Sequence, residues 1–520
     1  MKAFLNKHQK NIYGSISGWD RLSIRGTIRW LSSLRGICSY LSLNGILYKD
    51  FGKWAESMTT MIRSGCEAIA DKLNIQKHYL NTSALSKEAI AKEIARTNGI
   101  ESGPICMLSV VEPSYSPSVV GNRSTQKLEI QMSHRRCIWL YFYFNDPNWG
   151  LGHFRLQTWL PFTIKGCLNG REWLSRQMDR QGIGYTKSDN CFRWIRDVER
   201  AQELFDQQQS LNWSEAFSNL AFPYFGVMQE VFGEQPLDYY WSVDESEWAT
   251  DVIFRKTEHL DRLFPLLTRY GMDVADSANV LRFLGKISPT APLPARLCGD
   301  VRSDRRRRYE GVRVKHWYNR NSVKAYNKAG NVLRVETTIN NPRGFKVYRT
   351  DLQSPETSGK WTLMRKGVSD LHRRSQVSQK ANERYLESLA ACQSEMTLKE
   401  CVESVCKRTR LGHQTIRAMN PWKSEDYRLI EFLAKGEWNL NGFRNKDLRT
   451  FFFDASESTL TAKQKSSKST RLIRMLRAHG LIKKVPKTHR YVLTEKGCSL
   501  TALIKASSPV QAQQLIDLAA

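Results

Sequence analysis

Between Val323 and Ile339 the chain reads VKAYNKAGNVLRVETTI. Two runs rich in β-branched residues flank Lys328-Ala329-Gly330-Asn331, the composition of a strand, a turn and a returning strand. The hairpin lies inside a longer basic stretch, Gly311 to Tyr348. Its polar side chains alternate: Lys324, Tyr326 and Lys328 on the first strand, then Arg334, Glu336 and Thr338 on the second. Successive side chains leave opposite faces of a strand, so each set shares a face. If both sets fall on one face, a carboxylate stands among cations, a tyrosine and a threonine. That is the composition of a phosphate-handling or metal-assisted site, although a hydrogen-bonded cross-strand pair of Tyr326 and Glu336 explains the same residues.

Immediately upstream, Arg302 and Arg305, Arg306, Arg307 and Arg308 form a basic run, itself preceded by a linker punctuated by Pro289, Pro292 and Pro294. A charge run is commonly a solvated segment. Beside a strand bearing Lys324, Tyr326 and Lys328, this one predicts contact with nucleic acid.

The global composition points the same way. Over 520 residues the formal net charge is +28, an excess that favours polyanions, nucleic acid first among them. Apolar residues make up 41% and charged residues 25%, which suits globular domains with real cores rather than a disordered chain. No run of eighteen apolar residues occurs, so a membrane-spanning helix is not expected. The first residues, MKAFLNKHQKNIYGS, lack the apolar stretch of a secretion signal. Eleven cysteines are dispersed without a C-x-x-C pair, which reads as reduced thiols in a cytoplasm and argues against zinc.

Taken in order, the chain predicts an α+β, multidomain protein. Its body would be a mixed or antiparallel sheet with helical insertions. Residues 1–125 form an N-terminal α+β region, with a strand near Ser15–Gly26, helices near 28–43, 51–73 and 85–98, and a buried strand at Pro104–Pro113. Asp20 and Glu112 fall in those strands. Carboxylates on adjacent strands can hold a metal, or can pair with Arg21 or Arg25. Residues 126–290 open with a hairpin, Cys137–Phe144 and His153–Leu160, turning at Asn145–Asn148. Its return strand puts His153, Arg155 and Gln157 on one face, a surface suited to phosphate, to a metal or simply to solvent. Helices are expected at 170–180 and 197–209. Residues 213–290 read as largely helical, with an acidic and aromatic patch through Tyr239, Tyr240, Trp241, Asp244, Glu245, Glu247, Trp248 and Asp251, a candidate metal site or internal counter-charge, or more simply the carboxylate-rich start of a helix. Residues 291–370 hold the basic hairpin, and 371–423 form a helical connector.

Residues 424–520 make a separate module. A helix starts at Ser424 with Leu429, Ile430 and Leu433 facing inward, and a second covers Asn445–Phe452. The third runs from about Ser466 to Ala478, with Leu472, Ile473 and Leu476 inside and Gly480 as its stop. Lys463, Lys465, Lys468, Arg471, Arg474 and Arg477 point elsewhere. The strands Leu481–Val485 and Arg490–Thr494 then enclose a turn with Lys487, adding Lys483, Lys484 and Arg490 to the basic set. No acidic residue occurs between Lys463 and Arg490.

Three helices followed by a basic hairpin, with the phrase LRAHGLIKKVPKTHRYVLTEKG, resemble a winged helix-turn-helix domain. The resemblance implies a recognition helix in a major groove and a wing on the backbone of duplex DNA. The central hairpin resembles a segment of the rolling-circle replication initiators of phages and plasmids. Their Tyr-x-Lys and Leu-Arg-x-Glu strands are matched by Tyr326, Lys328, Leu333, Arg334 and Glu336. Their metal-holding His-hydrophobic-His strand is not found, His153-x-Arg155-x-Gln157 being the nearest run. The whole chain is also similar to a large set of uncharacterised bacterial proteins that share RVKH, YNK, LRVETTIN and LRAHGLI, and that likeness carries no activity.

The expectation is therefore a DNA-binding protein of mobile-element type. If it is an enzyme, it nicks or transfers DNA strands with Mg²⁺ or Mn²⁺. Tyr326 or Tyr385 would be the nucleophile, Lys328 and Arg334 the phosphate clamps, and His153, Gln157 and Glu336 the metal ligands. A non-enzymatic winged-helix regulator is the first alternative. An RNA-binding protein stacking bases on Trp139, Tyr141 and Tyr143 is the second.

Overall fold

In the computed structural model, the described residues are 1–232, 238–287, 299–309, 311–349, 359–390, 392, 398–435, 438, 442–453, 461–486 and 488–508. The Pro289–Pro294 linker and Lys487 lie outside them. The protein is α+β and multidomain. Its strands in chain order are β1 (Ile12–Ile28), β2 (Gln76–Leu80), β3 (Gly103–Asn122), β4 (Lys127–Asp146), β5 (Gly150–Gln157), β6 (Ile164–Asn169), β7 (Tyr185–Ser188), β8 (Cys191–Ile195), β9 (Tyr239–Phe254), β10 (Val301–Arg308), β11 (Gly311–Tyr318), β12 (Asn321–Lys328) and β13 (Val332–Ile339). Shorter pairs follow: β14 (Lys346–Arg349) with β15 (Lys360–Leu363), β16 (Thr409–Leu411) with β17 (Gln414–Ile416), and β18 (Ile482–Lys484) with β19 (Tyr491–Leu493).

Two compact units emerge, and neither is continuous in sequence. One comprises residues 16–248 and 338–376, the other residues 1–15, 249–337 and 377–520. The chain passes between them within β1, β9, β13 and the helix Leu371–Leu389.

The unit of residues 16–248 and 338–376 orders its strands β9-β1-β6-β5-β4-β3-β2. The strand expected at Pro104–Pro113 is twenty residues long and pairs with an equally long β4. The turn at Asn145–Asn148 is as expected, with Asp146 accepting the backbone N–H of Asn148 and Trp149 at 2.8 and 2.9 Å. One sheet face is aromatic and sealed: Phe142 and Phe144 stack on Tyr224 from the helix Trp213–Phe225. The other face is apolar only near the edge, where the helix Lys87–Thr97 lays Ala91 over Leu108, Val110, Trp139 and Tyr141. Beyond that helix it is polar. The expected helix at 170–180 forms over Gly170–Arg180 because the Asn169 side chain accepts from the N–H of Arg171 and Glu172.

The segment Tyr239–Phe254 is a strand, not the helix start that its carboxylates suggested. YYWSVDESEWATDVIF alternates aromatic and β-branched residues with acids, and those acids serve as cross-strand partners for cations on β1. Asp244 pairs with Arg25 at 2.8 Å, and Glu247 with Arg21 at 3.1 Å. Such pairs stabilise a sheet face by charge complementarity across strands.

In the unit of residues 1–15, 249–337 and 377–520, the strand order is β10-β11-β12-β13-β9. The opening hairpin is present as read, β12 and β13 joined through Ala329 and Gly330, both at positive φ. Gly330 adopts that region freely; Ala329 does so at some cost. Unlike a strand with one wet face, β13 is buried along its whole length. Leu333 and Val335 enter an apolar core with Phe254, Leu263, Phe283 and Tyr385. The basic run Arg305–Arg308 belongs to strand β10, at the edge of this order, rather than to a solvated loop.

The C-terminal segment of this unit has its own core of Leu429, Phe432, Phe443, Leu448, Ile473, Leu476 and Ile504. Its helices are Ser424–Leu433, Asn445–Phe453 and Ala462–Ala478, followed by the β18–β19 hairpin and the helix Glu495–Ser507. The third helix starts four residues before the expected Ser466. Thr461 and Gln464 form a reciprocal capping box that fixes the earlier start. It ends as read: Gly480 at φ 71 lets the N–H of Leu481 reach the Leu476 carbonyl at 2.9 Å.

Candidate nucleic-acid interface and polar sheet face

The helix Ala462–Ala478 divides cleanly into two sides. Ser469, Ile473, Met475 and Leu476 are buried, while Lys463, Lys468, Arg471, Arg474 and Arg477 are exposed. Lys465 is half-buried and donates to the Phe453 carbonyl at 3.3 Å. Arg474 reaches Gln414 at 3.0 Å, and the buried His479 meets the Arg417 carbonyl at 2.9 Å, so the β16–β17 hairpin is fastened to this helix. Burial holds the His479 imidazole below its usual pKa, ahead of the opposing effect of that carbonyl. Phe443 exchanges two backbone hydrogen bonds with Tyr491, at 2.7 and 2.8 Å, adding a third short strand to the hairpin. Lys483 and Lys484 are exposed on that hairpin and Arg490 is half-buried.

Strand β10 presents Arg305, Arg306, Arg307 and Arg308 to solvent, Arg306 pairing with Asp304 at 2.6 Å. An arginine-rich edge strand also resists edge-to-edge association, so exposure here has a structural use besides any ligand.

The residues singled out on the hairpin are brought together, but inside the protein. Tyr326 donates its hydroxyl to Glu336 at 3.0 Å and Lys324 reaches the same carboxylate at 2.6 Å, while Glu336 is only 1% exposed. Arg334 makes a two-pronged ion pair with Asp251 at 2.7 and 2.9 Å, both residues fully buried. Tyr385, the other nucleophile candidate, is buried and bonded to His316 at 3.0 Å. Lys328 is half-buried at the strand end. No DNA phosphate reaches Arg334, Glu336 or Tyr385 in this arrangement.

The proposed ligands His153 and Gln157 share a face of β5 but are four residues apart, roughly 13 Å along a strand, too far for one ion. Gln157 is buried and bonded to the Leu160 carbonyl at 2.9 Å. Asp20 and Glu112 are not neighbours either, because β6, β5 and β4 lie between β1 and β3. Glu112 is held by Lys87 at 2.9 Å, Arg155 at 2.6 Å and the Tyr141 hydroxyl at 2.9 Å. Burial alone would raise its pKa, but those donors and charges outweigh it and keep the carboxyl below its usual range.

A different grouping has metal-binding geometry. The carboxylate oxygens of Asp20 and Glu247 lie within 4.8 Å of each other, a spacing at which both could ligate one divalent cation. Asn190 donates its amide to both Asp20 oxygens, at 2.8 and 3.0 Å. Both acids line a cavity of about 220 Å³ that also includes Arg21, Glu88, Tyr143, His153 and Cys167. Burial, then the Arg155 charge, pushes the His153 imidazole down to about 4, so it is neutral at pH 7. Burial raises the Cys167 thiol to about 11, so it stays protonated. Glu247 and Asp251 both belong to the acidic patch singled out in the sequence; Glu247 stands beside Asp20, while Asp251 is the buried partner of Arg334.

No family model matches the chain, and no curated protein does. A solved structure described as the di-domain ARO/CYC BexL from the BE-7585A biosynthetic pathway aligns with 59% of this chain and 95% of its own, at 10% identity and a TM-score of 0.15. That score describes no common fold. The aromatics proposed to stack on bases, Trp139, Tyr141 and Tyr143, are buried beneath the helix Lys87–Thr97 and beneath cations.

Among the described residues, no helix is long and apolar enough to cross a membrane.

Proposed function

We propose that the protein binds a specific duplex DNA site through a C-terminal winged helix. The observation that carries this reading is the exposed, acid-free cationic side of Ala462–Ala478, set beside a hairpin bearing Lys483 and Lys484. In a winged helix that side lies in the major groove, and the hairpin follows the neighbouring backbone. The net charge of +28 supplies the sequence-independent attraction on which such recognition rests.

The R471A/R474A double variant tests it. Its duplex affinity should fall about ten- to a hundredfold, and each phosphate contact removed should flatten the log–log salt dependence by about 0.9. Fluorescence anisotropy across a salt series reads both quantities. An unaltered slope and affinity would discard the recognition-helix assignment.

A second reading, metal-assisted processing of the bound DNA, draws on the Asp20 and Glu247 carboxylates. Hard oxygen donors of this kind suit Mg²⁺ or Mn²⁺. Incubation with supercoiled and single-stranded DNA, with either ion, should then give nicks or a covalent adduct that D20N abolishes. Intact DNA under all conditions would leave a non-enzymatic regulator.

A further inference from the structure

The polar face of the β9-to-β2 sheet contains a row of like charges that packing alone does not explain. Tyr141 on β4 stands opposite Arg155 on β5, Arg155 opposite Lys165 on β6, and Lys165 opposite Arg25 on β1. Residues directly opposite in antiparallel strands have Cα atoms only about 4.5–5.5 Å apart. Like charges at such positions destabilise the pair, so a row of three needs counter-charge.

The two outer cations have it. Arg155 is paired with Glu112 at 2.6 Å and Arg25 with Asp244 at 2.8 Å. The central one, Lys165, has no carboxylate within ion-pair distance among the described residues; Asp244 and Glu112 act on it only from farther away. Its ammonium makes no hydrogen bond to a described residue and stands over the Trp139 ring at 5.6 Å. The Arg155 guanidinium lies over the same ring at 4.7 Å, so the indole forms an apolar floor under both. Lys165 is half-buried, and burial, then the charges of Arg25 and Arg155, lower its pKa.

We propose that Lys165, between Arg155 and Arg25, is the centre of a binding site for a phosphate-class oxyanion. A carboxylate is a poorer candidate, since Glu112 and Asp244 already offer carboxylates to the row and neither pairs with the central ammonium. A tetrahedral dianion presents oxygens in three directions and can meet three separate cations at once. Arginine forks and a point-charge lysine are the donors such anions use. The phosphate is either a phosphodiester of a nucleic-acid strand or a free phosphate group. The inference does not depend on the winged-helix reading, because it rests on another unit of the chain.

The test uses the full-length protein and competitive acetylation of lysines, read peptide by peptide in a mass spectrometer. The acetylation rate of Lys165 in phosphate-free buffer is the reference, with the exposed Lys92, on a helix outside the row, as the internal control. Inorganic phosphate at constant ionic strength should slow Lys165 and leave Lys92 unchanged. A short single-stranded oligonucleotide that gives the same protection assigns the site to nucleic acid; protection by inorganic phosphate alone assigns it to a free phosphate group.

In calorimetry K165Q should bind phosphate about tenfold or more weakly, the scale of one hydrogen bond to a charged group. K165R should retain binding, which separates a lost cation from a damaged fold. R471A/R474A should leave the protection pattern intact. Acetylation of Lys165 that neither probe slows, or equal phosphate affinity in K165Q and the parent protein, overturns the proposal.

Discussion

Replacing Arg334 with methionine should destabilise its unit by about 3–5 kcal/mol, the range for removing one partner of a buried ion pair. Arg334 and Asp251 are both fully buried and joined by two hydrogen bonds. R334M would leave the Asp251 carboxylate buried without its guanidinium, and desolvation of that charge is the main source of the loss. The aliphatic stem is matched by methionine, so little packing is sacrificed. The pair itself need not be a net gain, because well-packed apolar residues often replace such pairs at no cost. R334M/D251L should therefore regain much of what R334M loses. Urea midpoints of the three proteins decide the matter. If R334M unfolds with the parent, or the double variant is no better than the single one, the ion pair is not what holds β9 to β13.

Acid should weaken the same unit through His316, the second large effect. Its ring is fully buried, with Ser303 at 2.8 Å and the Tyr385 hydroxyl at 3.0 Å, and burial pushes its pKa down to about 3. An unfolded histidine titrates near 6.5. Below that pH the unfolded chain takes up a proton that the folded protein refuses until about pH 3. Stability is thus complete above pH 6.5 and declines as pH falls through the window down to 3, by up to about 1.4 kcal/mol per unit. Each shift of this kind adds to the slope, and His8, lowered to about 4 by burial and then Lys7, contributes in the same direction. H316Q should lower stability at pH 7.5 yet show a shallower decline between pH 6.5 and 5. Parallel pH profiles for H316Q and the parent would rule out His316 as the source.

The parts of this protein that could be read from sequence were those where local chemistry acts alone. The Ala329-Gly330 turn, the Asn145–Asn148 turn and the Gly480 helix stop are set by residues within a few positions of one another. So is the helix Gly170–Arg180, which the Asn169 cap begins. Strand β9 was misread because its acids are explained by Arg21, Arg25 and Arg334, all more than eighty positions away. The hairpin's polar row was read correctly as shared by Tyr326 and Glu336. Its meaning was not legible, since Asp251 and the helix Leu371–Leu389 that enclose it arrive from distant sequence. Alternation reports that a side chain shares a face; it does not report whether that face is wet.

The crossings of the chain between its two units set the order in which the protein can be completed during synthesis. Residues 16–248 wait for 338–376, and residues 1–15 wait for everything beyond 377. At roughly 5–20 residues per second, ribosomes need about 20–75 s to make the first 376 residues. The amino-terminal helix Lys2–Lys7 is therefore an early product with late partners, since the Met1 amine and Lys7 reach Glu387 and Ala390. A fragment ending near residue 248 should need a chaperone for as long as it exists, and proteolysis there should release no stable half.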